Sequence, residues 1–264
     1  MPKITLNGAE LAYDDIAPPG PVQRTILLLH GFASNRAEGW RRTGWYAALE
    51  RRGFRTIALD QRGHGESLRS HDPADYGRSI MAADALALLD HLGVGRVDVL
   101  GYSMGTRTAM QMALDAPDRI SNLLLGGVGG KLFDPPRAGG VEAMAQAMAA
   151  EDPATIPSDL LRSFRQFADE QGEDRQALAA FTAAQSPPLT REDLGRLPMP
   201  VLVVAGARDD LAGDPEDLAR VFPYGTGKSL PGVDHFSAIP HASLKATVFD
   251  FIDGVLDDDF PPFE

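Results

Sequence analysis

Gly101-Tyr102-Ser103-Met104-Gly105 sets one serine between two glycines, where an apolar run gives way to a helical pattern. A turn that tight holds Ser103 in a strained backbone conformation, and flanking glycines let neighbouring chain approach closely. The hydroxyl then stands clear at the strand's end, beside the first amides of a helix, where negative charge is favoured. A serine hydroxyl is a poor nucleophile near neutral pH. It needs a base, and the base needs a carboxylate to orient it. Asp209 follows the apolar run Val201–Ala205, and His235 falls on a loop after the last strand-like segment. Serine, histidine and aspartate at three strand ends could attack a carbonyl and carry a covalent intermediate. Asp210 is an alternative acid, although spacing from Gly206 favours Asp209. Asp234, next to His235, has the pattern of a turn residue.

Other chemistries find less support. The chain has no cysteine, which excludes disulfides, zinc–thiolate sites and a thiol nucleophile. There is no H-E-x-x-H cluster, so neither a metal nor a cofactor is expected. Gly126–Lys131 superficially resembles a phosphate cradle, but Leu132 stands where a hydroxyl residue is required, and there is no G-x-G-x-x-G fingerprint. Acidic residues outnumber basic ones 37 to 25, which argues against nucleic acid or an anionic membrane as partner. A small-molecule substrate is the expected partner, and the oligomeric state is unknown. The N-terminus lacks a long apolar secretion segment, so a cytoplasmic location is the expectation.

These residues need a frame, and 264 residues suffice for one large domain carrying an insertion. Alternation in residues 3–13 around Asn7-Gly8 predicts a hairpin. The continuous apolar run Thr25–Leu29 predicts a strand buried on both faces, as in a parallel sheet. Further strands are expected at 54–59, 97–101, 120–125, 201–205 and 228–230, alternating with helices at 45–52, 80–92, 104–116 and 244–256. That rhythm predicts an α/β fold with a mostly parallel twisted sheet flanked by helices. Between Lys131 and Gly195 the rhythm breaks into Ala-rich helical pieces at 141–150, 160–171 and 175–184. The expectation is a core formed by 1–130 and 196–264, with 131–195 as a helical cap over the sheet's carboxyl edge.

Four motifs in order make the sequence similar to the α/β-hydrolase superfamily across nearly its whole length outside the cap. His30-Gly31-Phe32 resembles its oxyanion loop, and Asp60-Gln61-Arg62-Gly63-His64-Gly65-Glu66-Ser67 its D-x-R-G-x-G-x-S loop. Gly101–Gly105 resembles its nucleophile elbow, and Gly206-Ala207-Arg208-Asp209 its acid turn. The chain order Ser, Asp, His is also that superfamily's. The resemblance implies Ser103 as nucleophile, His235 as general base and then acid, and Asp209 holding the imidazole. It implies an oxyanion hole from the backbone amides of Phe32 and Met104, and His30 as a structural ring near the elbow. Serine at position 103 disfavours the dehalogenase and epoxide hydrolase branches, whose nucleophile is Asp. Thr106 replaces a glycine that often follows the elbow. Hydrolysis of a small or medium carboxylic ester is the implied activity. C–C, lactone or thioester cleavage on the same triad, or a small-molecule receptor, are the alternatives. Trp40, Tyr102, Met144, Met148 and Phe164 are candidate pocket residues; Arg41, Arg162 or Arg165 in the pocket would favour C–C cleavage of a carboxylate-bearing substrate.

Overall fold

Side chains on the central strands point alternately into two apolar cores, so an uninterrupted apolar run builds two layers at once. Leu27 and Leu29 enter one core, Ile26 and Leu28 the other; Val201 and Val203 oppose Leu202 and Val204 in the same way. The structure, a computed structural model, describes residues 2–134 and 140–256. Its elements in chain order are β1 (Lys3–Leu6), β2 (Ala9–Ile16), β3 (Arg24–Leu29), α1 (Trp45–Arg51), β4 (Phe54–Leu59), α2 (Arg78–His91), β5 (Val97–Tyr102), α3 (Met104–Asp115) and β6 (Ile120–Gly126). After β6 come α4 (Gly140–Ala149), α5 (Asp159–Glu170), α6 (Arg175–Ala183) and α7 (Arg191–Leu194). Then follow β7 (Val201–Gly206), α8 (Pro215–Ala219), β8 (Gly225–Leu230) and α9 (Ala242–Ile252).

The eight strands form one sheet in the order β1-β2-β4-β3-β5-β6-β7-β8. The pairs β1–β2 and β2–β4 are antiparallel; every other pair is parallel. The hairpin turns at Asn7-Gly8, both at positive φ (48° and 74°), as the sequence predicts. Residues of α2, α3 and α8 pack in the core of one face, those of α1 and α9 in that of the other. After β3 the chain runs outward to β4, then returns to lay β5 on the other side of β3. The carboxyl ends of β3 and β5 therefore face the crevice where strand order reverses, the usual ligand position in such sheets.

Several boundaries differ from expectation. β2 runs to Ile16 because its second half pairs with β4 as well as continuing from the hairpin. Helix α8 was not expected, although its signals are local: Asp214 caps it by accepting from the Glu216 N–H at 2.9 Å, and Pro215 occupies its first position. Ala37–Arg41 forms a π-helical turn that no periodicity announces. The closing helix ends at Ile252, four residues short, and the expected acidic tail and Phe260–Phe263 lie outside the described residues. No described helix is long and apolar enough to cross a membrane.

Among the described residues between β6 and β7 there is no strand. Helices α4–α6 enclose a third apolar cluster of Ala147, Met148, Phe164, Ala168 and Leu178. Ala33, Phe32 and Leu211 join that cluster from the loops after β3 and β7, which fastens the helices to the carboxyl side of the sheet.

Candidate active site

β5 delivers Ser103 at φ 52° and ψ −114°, a conformation L-residues rarely adopt. What makes it affordable is the packing around it. A methyl group on Gly105 would lie 2.1 Å from the Leu29 carbonyl oxygen, and one on Gly101 would lie 2.5 Å from that of Gly105. Strand, turn and helix can approach this closely only without side chains there. The Ser103 N–H donates to the Gly126 carbonyl at 2.8 Å, and the Thr106 hydroxyl donates to the Ser103 carbonyl at 2.5 Å. Thr106 thus braces the turn through its hydroxyl.

The three residues expected to act together lie in a hydrogen-bonded line. His235 Nε2 is 2.9 Å from Ser103 Oγ, and His235 Nδ1 is 2.8 Å from Asp209 Oδ2. Asp209 as a carboxylate only accepts, which places the proton on Nδ1 and leaves Nε2 to accept from Ser103. The other oxygen, Asp209 Oδ1, accepts from the Leu211 and Ala212 N–H groups, both at 3.0 Å, so the carboxylate cannot rotate freely. Asp210 is exposed and contributes its carbonyl to Lys131. Asp234 accepts from the Phe236 and Ser237 N–H groups at 3.1 and 2.9 Å and so shapes the turn carrying His235. The Tyr102 hydroxyl donates to the His235 carbonyl at 2.5 Å, tying the residue before Ser103 to the histidine loop.

The loop after β3 approaches from the other side. A methyl group on Gly31 would sit 3.4 Å from Ser103 Cβ. Neither the Phe32 nor the Met104 N–H has a partner among the described residues. His30 holds this loop: its Nδ1 donates to the Gly31 carbonyl at 2.8 Å and its Nε2 accepts from the Gln61 N–H at 3.0 Å. Gln61 in turn donates to the His30 carbonyl and accepts from Thr108 on α3 at 2.7 Å. Burial pushes His30 down to about 4, so it stays neutral. Burial likewise pushes His64 down to about 3; its Nδ1 donates to the Arg62 carbonyl, and its Nε2 has no partner among the described residues.

A cavity of about 430 Å³ opens onto Ser103 and His235. Its apolar wall comes from Phe32, Tyr102, Phe164, Phe167, Phe236 and Ile239. Tyr102 and Phe164 are where sequence reasoning puts them. Trp40, Met144 and Met148 do not line it, and this corrects the expectation. The π-helical turn rotates Trp40 into the sheet core, where it meets Trp45 edge to face at 5.8 Å. Met144 and Met148 belong to the apolar cluster between α4 and α6. Phe236, adjacent to His235, and the face of α5 carrying Ser163, Gln166, Phe167 and Glu170 were missed; their spacing of three and four residues was the available signal. The three candidate arginines are engaged elsewhere: Arg41 with Asp14, Arg162 with Asp159 and the Ile156 carbonyl, Arg165 with Asp169 and the Ala150 carbonyl.

One buried carboxylate links the helical segment to these loops. Glu173, between α5 and α6, accepts from the Gly65 N–H at 2.8 Å and from Asn35 Nδ2 at 3.0 Å. Asn35 Oδ1 accepts from the N–H groups of Ala37 and Glu38, both at 3.0 Å. Burial raises the Glu173 carboxyl above the usual range, partly offset by these bonds.

A family model described as alpha/beta hydrolase fold matches residues 24–155. Among curated proteins, the chain is similar to the dihydrolipoyllysine-residue acetyltransferase component of an acetoin cleaving system from Pseudomonas putida. The two are 30% identical over 224 residues, 80% of this chain and 58% of that protein, so the chain spans little more than half its relative's length. Among solved structures, a hydrolase from Pseudomonas aeruginosa PA01 superposes with a TM-score of 0.75 at 27% identity, covering 95% of this chain and 97% of that one. The enol-lactonase from Burkholderia xenovorans LB400 superposes with a TM-score of 0.71 at 25% identity, covering 96% and 100%.

Proposed function

Because this chain belongs to the alpha/beta hydrolase fold family, we propose that its hydrolase chemistry is that of a serine carboxylesterase acting through Ser103, His235 and Asp209. The observation that carries this reading is the line of contacts Ser103–His235–Asp209, at 2.9 and 2.8 Å, at the floor of an apolar cavity. Ser103 Oγ attacks the ester carbonyl while His235 Nε2 takes its proton. The oxyanion that forms is stabilised by the Phe32 and Met104 amides, each donor of this kind being worth about 3–4 kcal/mol. His235 then protonates the departing alcohol, leaving an acyl group on Ser103. Water, deprotonated by His235, attacks that acyl group, and collapse of the second tetrahedral species releases the acid and restores the serine.

The substrate is a small or medium carboxylic ester. A largely apolar cavity of about 430 Å³ supports this, since it holds an acyl chain of moderate length. The described helices between β6 and β7 act as the cap, α5 contributing Phe164 and Phe167 to the wall. The C–C alternative loses its support, because Arg41, Arg162 and Arg165 all point to other partners. The test is p-nitrophenyl ester turnover from acetate to decanoate by the wild type and Ser103→Ala. Turnover that peaks at one chain length and falls to background in the variant is the expected result. A wild type that releases only one equivalent, or a variant that retains turnover, refutes the reading.

A further inference from the structure

The polar part of the cavity wall has one sign of charge. Besides His235 and the Tyr102 phenol, the ionisable side chains among the described lining residues are Glu38 and Glu170, with no lysine or arginine. They come from two unrelated elements. Glu38 lies on the π-helical turn fixed by Asn35, and Glu170 ends α5, where Gln166 Nε2 donates to its Oε1 at 3.0 Å. Glu38 shares its charge with Arg42, 2.9 Å away, whose side chain is largely exposed. An aromatic group lines the same cavity. Phe236, 46% exposed, meets His235 edge to face and Phe164 and Phe167 at a tilt, with ring centres 5.6, 5.5 and 6.1 Å apart.

An anionic substrate arm here meets two carboxylates, one of them paired with Arg42, and no lysine or arginine among the described lining residues. A cationic arm meets aromatic faces, to which ammonium groups are drawn, and two carboxylates. The chain's net charge of −12 adds a long-range field of the same sense. We propose, resting on the serine-hydrolase reading above, that the site selects esters bearing an ammonium or quaternary ammonium group on the arm away from the scissile carbonyl, and discriminates against carboxylate-bearing esters. Glu170 carries the larger share of this selectivity, because Arg42 partly neutralises Glu38.

The test uses two series of size-matched esters. In one the alcohol arm, in the other the acyl arm, ends in trimethylammonium, tert-butyl or carboxylate. In at least one series the ammonium ester should exceed its neutral isostere in kcat/KM by about tenfold at low salt, with the carboxylate ester falling below both. The ammonium-to-neutral ratio should shrink in Glu170→Gln, less in Glu38→Gln, and towards one in the double variant or at high ionic strength. Binding of the same esters to Ser103→Ala, followed by calorimetry, reads charge preference without catalysis. Equal affinity across both series, or tighter binding of the carboxylate, overturns the charge selectivity even if esters turn over. Failure of the wild type to turn over any ester, with ammonium-selective binding intact, overturns the hydrolase reading alone.

Discussion

At Asp209 the two carboxylate oxygens have different employers, and that division makes a substitution informative. Oδ1 takes two backbone N–H groups from Leu211 and Ala212, and Oδ2 takes the His235 Nδ1–H. In Asp209→Asn the two backbone donors would claim the amide oxygen and force the NH2 onto His235. The imidazole must then accept at Nδ1 and carry its proton on Nε2, where it cannot take one from Ser103. The expected outcome is a fall in kcat of about 10³–10⁴-fold with KM little changed, measured on the best p-nitrophenyl ester. A loss of less than tenfold would show that Asp209 does not orient the base. At this scale the sequence was legible wherever backbone geometry dictates residue type. Only glycine fits beside Ser103 and Leu29, so the elbow announces itself. Trp40 did not, because its destination depends on a π-helical turn that no spacing rule describes. The orientations of Arg41, Arg162 and Arg165 were equally hidden, being set by acids and carbonyls in other segments.

Among the elements, strands were read most accurately because their apolar runs serve two cores at once, and the helices between β6 and β7 because their Ala-rich stretches are separated by Pro-containing breaks. What joins that helical segment to the sheet was illegible. Glu173 is one acid among 37 acidic residues, and its two hydrogen-bond donors lie 108 and 138 positions away. Glu173→Ala would leave the Gly65 N–H and the Asn35 amide without their acceptor. The expected cost is about 1–3 kcal/mol of stability. Hydrogen exchange should accelerate in α4–α6 and in residues 63–66 while β5 and β7 keep their protection. Glu173→Gln, which retains one acceptor, should fall between. Uniform acceleration over the whole chain would contradict a local seat for this helical segment.

For the molecule as a whole, two buried neutral histidines set an acid limit. His30 and His64 are held near 4 and near 3 when folded, against about 6.5 when unfolded. Lowered folded values mean that the unfolded chain binds more protons below pH 6.5. Their contribution is therefore full above that pH and is lost as pH falls towards 4 and then 3, at up to about 1.4 kcal/mol per pH unit for each. Asp60, Asp98 and Glu173, raised by burial, act in the opposite sense, so a difference between variants is the clean measurement. His64→Asn, which retains a donor towards the Arg62 carbonyl, should be less stable than wild type at pH 7. That gap should close by about 2.5 kcal/mol at pH 4.5 in urea unfolding. A gap independent of pH would mean that His64 is not buried in its neutral form. The order of Ser103, Asp209 and His235 along the chain bears on its biosynthesis. Ser103, its turn and its strand emerge from the ribosome well before Asp209, and His235 emerges last. A nascent chain therefore holds Ser103 without its hydrogen-bond partner His235 over the next 132 residues of synthesis, and the contact forms only when the segment after β8 is released and docks against Tyr102.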